Sequence, residues 1–215
     1  VTAVGPGGPR ATRPRLGVFG GAFDPPHATH VALALAALDQ LQLTELRVFP
    51  TGQAWHKARA LTPAEHRLAM ARLAFDSLPG VVVDDRELRR AGPTYTIDTL
   101  RELAAEQPDA ERVLLMGADQ ARSLMTWREW EAIVALATIA VAERLPTTPS
   151  PEPVALDDLP WARHPAARIE RLRLPPTDAS ATEVRDRLAR GLGIVPLVPE
   201  PVARYIERHR LYLPT

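Results

Sequence analysis

His27 and His30 stand three residues apart, just beyond a glycine pair and an Asp24-Pro25-Pro26 break. Imidazoles at that spacing across a helix start can face one mouth, where they donate hydrogen bonds to phosphate oxygens or carry positive charge toward them. Two surface histidines beside a turn are the plain alternative. The neighbouring residues favour the chemical reading. Leu16 to Phe19 read as a short buried strand, and Gly20 and Gly21 permit a tight turn and a close backbone approach to a ligand. The Asp-Pro-Pro run stops regular structure. From about Thr29 an Ala/Leu run reads as a helix, whose free N–H groups and positive dipole end make an anion site.

Other candidates follow other apolar runs. Lys57, in the polar stretch Thr51 to Ala58, is a flexible cation able to bridge β- and γ-phosphates, or else a solvated loop lysine. Asp119 follows an apolar run and Gly117; its carboxylate can accept from ribose hydroxyls, and the glycine leaves room for a ligand. Trp127 and Trp130 on their own read more readily as core or staple residues. Ser180-Ala181-Thr182-Glu183 is a helix-capping sequence with Arg185 one turn on.

These groups need a scaffold that brings strand ends together. Strands are expected over 16–20, 46–50, 81–83, 113–116, 138–142 and 168–174. Helices are expected over about 29–41, 62–77, 97–106, 126–136, 180–190 and 199–208. In the second helix Thr62 would be the N-cap and Pro63 the first residue, with Leu68, Met70, Leu73 and Phe75 following. Leu211 to Leu213 would pack back on the fold. Such alternation favours a parallel sheet with helices on both faces. Residues 146–165 are proline-rich and aperiodic, and read as a poorly regular loop.

Composition removes several classes. The 215 residues fit one α/β domain. With 26 basic and 26 acidic side chains the net charge is zero, against a general nucleic-acid surface. The absence of cysteine excludes disulfides, thiolate catalysis and zinc–thiolate sites. No apolar run is long enough to span a bilayer, and the Gly/Pro/Arg-rich start lacks the apolar stretch of a signal peptide. A cytoplasmic enzyme is the expectation. The first turn lacks G-x-G-x-x-G and there is no Walker G-K-[ST], which weakens dehydrogenase and P-loop readings.

Gly20-Gly21-Ala22-Phe23-Asp24-Pro25-Pro26-His27-Ala28-Thr29-His30 resembles the G-G-x-F-D-P-x-H-x-G-H signature of the nucleotidyltransferase superfamily, and Ser180 to Arg185 resembles its second signature, I-S-[SA]-T-x-[IV]-R. Glu87 to Thr96 is similar to the E-x-x-R-x-x-P-S-Y-T segment of bacterial nicotinate-mononucleotide adenylyltransferases. His56-Lys57 resembles that family's H-K/R loop, with Ala54-Trp55 where Pro-Pro is usual. The resemblance runs from about Leu16 to Leu213. It implies a Rossmann-like, doubly wound parallel sheet: a single nucleotidyltransferase domain over 16–215, with a small C-terminal helical part, after a flexible extension over 1–15.

The resemblance further implies transfer of AMP from ATP to nicotinate mononucleotide, with magnesium bound through the ATP phosphates and no protein-built metal site. His27, His30, Lys57 and Arg185 would be catalytic. ATP would meet Gly20, Gly21, Ala22, Phe23, His30, Gly117, Asp119, Ser180, Thr182 and Arg185. Nicotinate mononucleotide would meet Tyr95, Thr96, Asp119, Trp127 and Arg128, with Trp127 stacked on the pyridine ring. Arg128 falls where the family often has an aromatic residue, and its cation is expected to support the acid substrate. No nucleic-acid or membrane partner is implied, and homo-oligomerisation stays open. Nicotinamide mononucleotide and phosphopantetheine are the alternative acceptors. Thr29 stands where the family has glycine. It would either crowd the nucleotide, leaving a catalytically impaired nucleotide-binding protein, or cap the helix it precedes.

Overall fold

The computed structural model describes residues 13–52, 60–144, 156–175 and 179–213. Among these residues six strands form one all-parallel sheet: β1 (Arg15–Gly21), β2 (Glu45–Pro50), β3 (Val81–Val83), β4 (Glu111–Gly117), β5 (Thr138–Arg144) and β6 (Ile169–Leu174). Their order is β3-β2-β1-β4-β5-β6. The order reverses between β1 and β4, and a sheet of this kind opens its ligand crevice at the carboxyl ends of those two strands. Gly20-Gly21 and Gly117 therefore share one edge.

The described helices are α1 (Ala28–Gln40), α2 (Ala64–Phe75), α3 (Arg86–Arg89), α4 (Thr96–Glu106), α5 (Ala118–Ser123), α6 (Trp130–Leu136), α7 (Ala181–Ala189) and α8 (Glu200–Arg208). They bury two separate apolar cores. Leu33, Ala37, Phe75, Val184 and Ile206 meet on one side of the sheet with Phe19. Ile97, Leu100, Ile133 and Trp161 meet on the other with Leu16 and Val18. Strands covered on both faces read as continuous apolar runs, as β1 and β4 do, whereas the edge strand β6 was legible by its alternation, which its burial follows. The doubly wound, Rossmann-like expectation holds. The C-terminal helices α7 and α8 share a core with α1 and α2, so they belong to the same unit.

Several local expectations change. Thr62 is not the cap of α2; Pro63 holds that position, with no side-chain cap bond. The Thr62 N–H instead goes to Asp24 Oδ2 at 3.3 Å, and its carbonyl accepts from Arg67 Nε at 2.9 Å. Leu73 is exposed, and Arg67 lies on the buried stripe of α2 with Met70, Ala71, Ala74 and Phe75. Of the helix expected over 126–136 only α6 (Trp130–Leu136) forms: Thr126 ends a 3-10 turn (Leu124–Thr126), Trp127 is extended and Glu129, the N-cap residue of α6, adopts φ 52°. Within 146–165, residues 145–155 lie outside the described set. The remainder forms 3-10 turns around Trp161, which is fully buried and donates to the Ala121 carbonyl at 2.7 Å. Leu211 and Tyr212 pack back as expected, while Leu213 is exposed. Residues 1–12 of the expected N-terminal extension lie outside the described set, and Arg15 already opens β1.

Candidate active site

β1 ends in the loop that carries the glycine pair. A side chain at Gly20 would meet open space, so this position admits a ligand. At Gly21 the vacant volume is filled from within: a Cβ there would lie 2.9 Å from the Phe23 ring. The sharp turn expected of the glycines is made by Phe23, at φ 49° and 1% exposed. A left-handed backbone costs energy for a non-glycine residue, and the packing of Phe23 against Phe19, Phe75 and His30 holds it there.

The two histidines do converge. Their rings lie 3.7 Å apart between centroids, tilted by 34°. His27, buried, is the N-cap residue of α1, and its backbone N–H donates to His30 Nδ1 at 3.2 Å. The neutral His30 ring must then carry its proton on Nε2, as a donor. One expected donor of the helix mouth is already used: Ala28 N–H donates to the Leu197 carbonyl at 2.8 Å.

The second signature arrives at the same loop. Ser180 caps α7, its Oγ accepting the Glu183 N–H at 3.1 Å. Arg185 donates through Nη1 to the Asp24 carbonyl at 2.8 Å and through Nη2 to Thr182 Oγ1 at 3.1 Å. A cation and a helix N-terminus thus stand beside the histidine loop, an arrangement suited to a polyphosphate. Thr29 does not cap α1, since it lies inside the first turn. Nor is its side chain aimed at the loop mouth: it is 5% exposed, and its hydroxyl donates to the Ala179 carbonyl at 2.7 Å.

Across the edge, Gly117 is the N-cap residue of α5, its N–H held by Gln120 Oε1 at 3.0 Å. The Asp119 side chain is 95% exposed and paired with Arg122 at 2.7 Å. Tyr95 is the N-cap residue of α4 and Thr96 its first residue, one residue earlier than expected. The Arg128 guanidinium lies 4.6 Å over the Tyr95 ring, and Trp127 is half-buried against the same core as Tyr95. The structure therefore brings Tyr95, Thr96, Trp127 and Arg128 into one neighbourhood. Lys57 lies outside the described residues.

Three groups were not singled out for the site. Arg67, 2% exposed, donates to the carbonyls of Ala22 at 3.1 Å, Thr51 at 2.7 Å and Thr62 at 2.9 Å. It ties the glycine loop to both stems of the stretch that carries Lys57. Burial pulls this guanidinium below its ordinary pKa, against the opposing field of Asp24. Its signal was present: position 67 shares the helical period of 70, 71 and 74. Tyr212 donates from its hydroxyl to Asp24 Oδ1 at 2.6 Å, so the chain's end reaches the first signature.

Glu87, 7% exposed, is the third. It accepts from Thr99 Oγ1 at 2.8 Å, and a Cβ at Gly52 would lie 2.4 Å from the Glu87 carbonyl oxygen, so only glycine fits there. Burial pushes the Glu87 carboxyl above its ordinary range, outweighing the Thr99 hydrogen bond and the Arg90 charge. An acid raised on folding binds more protons native than unfolded, so stability falls as pH rises from its unfolded value near about 4.3 through its folded value. Glu87→Gln lacks that loss. The Tm difference, Gln minus Glu, is expected to climb across that window and then level off. A flat difference in thermal melts from pH 4 upward would remove Glu87 as the source.

The cytidylyltransferase-like family model matches residues 18–187. A relative from Albidiferax ferrireducens, named as a probable nicotinate-nucleotide adenylyltransferase, is 54% identical over 198 residues, covering 92% of this chain and 98% of its own. A relative of the same name from Methylibium petroleiphilum is 44% identical over 204 residues, covering 93% of each. Among solved structures, the Plasmodium falciparum nicotinic acid mononucleotide adenylyltransferase complexed with NaAD matches with a TM-score of 0.73 at 19% identity, over 93% of this chain and 97% of that one. That likeness concerns the fold. No described helix is long and apolar enough to cross a membrane.

Proposed function

The chain belongs to the cytidylyltransferase-like family, and on that premise we propose that it transfers AMP from ATP to nicotinate mononucleotide, forming nicotinate adenine dinucleotide and pyrophosphate. The names of its most similar relatives support this acceptor. The observation that carries the residue-level reading is the meeting of the two signatures: Arg185 of α7 donates to the Asp24 carbonyl of the histidine loop.

A phosphate oxygen of nicotinate mononucleotide attacks the α-phosphorus of ATP in line. The new P–O bond forms as the bond between the α-phosphorus and its bridging oxygen to the β-phosphorus breaks, and pyrophosphate leaves. The nucleophile is already an anion, so no strong base is required, and catalysis is positioning plus charge stabilisation. His27 and His30 hold the α- and β-phosphates, His30 through its Nε2–H. Lys57, Arg185, Ser180 and Thr182, with the first N–H groups of α7, receive the rest of the triphosphate. Gly20, Gly21, Ala22 and Phe23 line its approach, and Gly117 and Asp119 face the ribose. The pyridine ring stacks on Trp127 beside Tyr95. The first N–H groups of α4, at Thr96, take the nicotinate carboxylate.

Asp24, the acid nearest the histidines in sequence, already accepts from Tyr212 and Thr62. With that carboxylate engaged, the mouth is rich in donors suited to phosphate oxygens, and a magnesium ion would come with the nucleotide, held by its phosphates and by water. When bound, that ion neutralises charge on the departing pyrophosphate.

Pyrophosphate release with ATP and magnesium tests the reaction, comparing nicotinate mononucleotide with its amide and with phosphopantetheine. The acid is expected to be the preferred acceptor. Preference for either competitor would overturn the substrate assignment. Arg128 sharpens the test. Its side chain is 56% exposed, so its charge is screened by water, and Arg128→Ala is expected to raise KM for the acid only about two- to fivefold. KM for the amide would stay unchanged. An unaltered KM for the acid would remove Arg128 from the pocket.

A further inference from the structure

Thr29 joins the two nucleotide-binding signatures across 150 residues of sequence. Its hydroxyl donates to the carbonyl of Ala179, itself only 4% exposed, at 2.7 Å. The acceptor immediately precedes Ser180, the cap of α7. The donor lies between His27 and His30, in the first turn of α1. One hydrogen bond therefore fixes the helix start that carries the histidines against the helix start that carries Thr182 and Arg185.

We infer that Thr29 is a positioning residue for ATP, one that holds the two phosphate-binding signatures at a set separation. The inference rests on the proposed adenylyl transfer. A further bond joins the same two signatures, from Arg185 to the Asp24 carbonyl, while Ala28 N–H to the Leu197 carbonyl and Tyr212 to Asp24 Oδ1 tie the histidine loop to later segments. Arg185 is itself offered to the triphosphate, so its bond to Asp24 is open to competition when the nucleotide arrives. The Thr29 bond is not, because both residues are buried and the hydroxyl is given to the Ala179 carbonyl. It holds the separation in the free and the nucleotide-bound protein alike. Glycine, the residue of the signature at this position, has no such donor. The side chain that looked like an obstacle is a tether.

Without the donor, the Ala179 carbonyl stays buried and unsatisfied, and the segment before α7 must shift or admit water. Binding ATP then requires the two helix starts to be brought back into register. Thr29→Val keeps the shape and removes the hydroxyl. Its KM for ATP is expected to rise about tenfold, with KM for nicotinate mononucleotide and kcat near wild type. Thr29→Ser, which restores the donor, is expected to return KM for ATP to wild type. Thr29→Gly is expected to behave like Thr29→Val, and supplies the same test if the valine variant does not fold.

A non-hydrolysable ATP analogue titrated calorimetrically should show the same order of affinities: wild type and Thr29→Ser tight, Thr29→Val and Thr29→Gly weak. A role in stability alone would lower Tm and leave KM and analogue affinity untouched, which overturns the inference. Tighter ATP binding by Thr29→Gly would also overturn it, in favour of crowding. Wild-type protein that binds the analogue but releases no pyrophosphate with any acceptor would sink the reaction instead, and the calorimetric series would still decide the tether.

Discussion

His30→Asn is expected to lower kcat for pyrophosphate release about 10²- to 10³-fold, the usual cost of removing one preorganised donor from a developing anion. Asparagine is the informative replacement because of the bond that His30 makes in the free protein. Its Nδ1 accepts the backbone N–H of His27 at 3.2 Å. The asparagine Oδ1 falls close to the position of Nδ1 and can accept the same N–H, so the start of α1 keeps its geometry. What asparagine lacks is a donor at the position of Nε2. Alanine would lose both and would also leave a gap against Phe19 and Phe23, which pack on the His30 ring. His30→Gln is the complement: its amide can reach the Nε2 position but not the His27 N–H, so it should retain more kcat than asparagine. Steady-state kinetics on the three proteins, with melts to show that they are folded, separate donation from architecture. An asparagine variant at wild-type kcat would mean that His30 only shapes the loop.

Candidate residues were easier to read in this chain than geometry. His27 and His30 stood out because their spacing across a helix start, beside the glycine pair, would suit a polyphosphate, whereas Ser180 and Arg185 read on their own as a capping segment and stood out by their resemblance to the second signature. The alternation of apolar runs and helical periods likewise announces a parallel sheet, since strands covered on both faces need no alternation of their own. The strand order, with its reversal between β1 and β4, is a matter of long-range packing and leaves no local mark.

Side-chain direction was the hidden variable. Thr29 read either as crowding the nucleotide or as a cap of the helix, and is neither, because a sequence says which residue is present and not where its hydroxyl points: that hydroxyl goes to the Ala179 carbonyl. Thr62 carried every local mark of an N-cap, yet its N–H serves the Asp24 carboxylate, a partner 38 residues away. The left-handed Glu129 stands just before α6, so the helix starts only at Trp130, and an exposed glutamate gives no warning of that. Arg67 and Trp161 differ from these cases, for both had readable signals. Arg67 falls on the apolar stripe of α2. Trp161 is a large apolar residue in a segment that proline content alone had suggested was irregular.

Arg185 carries the second large effect, and it depends on the shape of the guanidinium as much as on its charge. Its described contacts use one N–H of Nη1 on the Asp24 carbonyl and one of Nη2 on Thr182 Oγ1. Of the five donors of an arginine, that leaves others for phosphate oxygens in the same plane. Arg185→Met is expected to lower kcat/KM for ATP about 10²-fold, through the lost charge on the leaving pyrophosphate and through a loosened Asp24 loop. Arg185→Lys is expected to recover only part of this. An ammonium has three donors on a point charge and cannot hold Asp24, Thr182 and a phosphate in one plane. The split between constants tells this residue apart from Thr29. A tether acts on ATP binding, so Thr29→Val should move KM and spare kcat. A cation that meets the charge developing on pyrophosphate should move kcat as well. If Arg185→Lys matched wild type in both constants, charge alone would suffice at this position. If Arg185→Met changed only KM, Arg185 would be a second tether rather than a group that acts on the transition state.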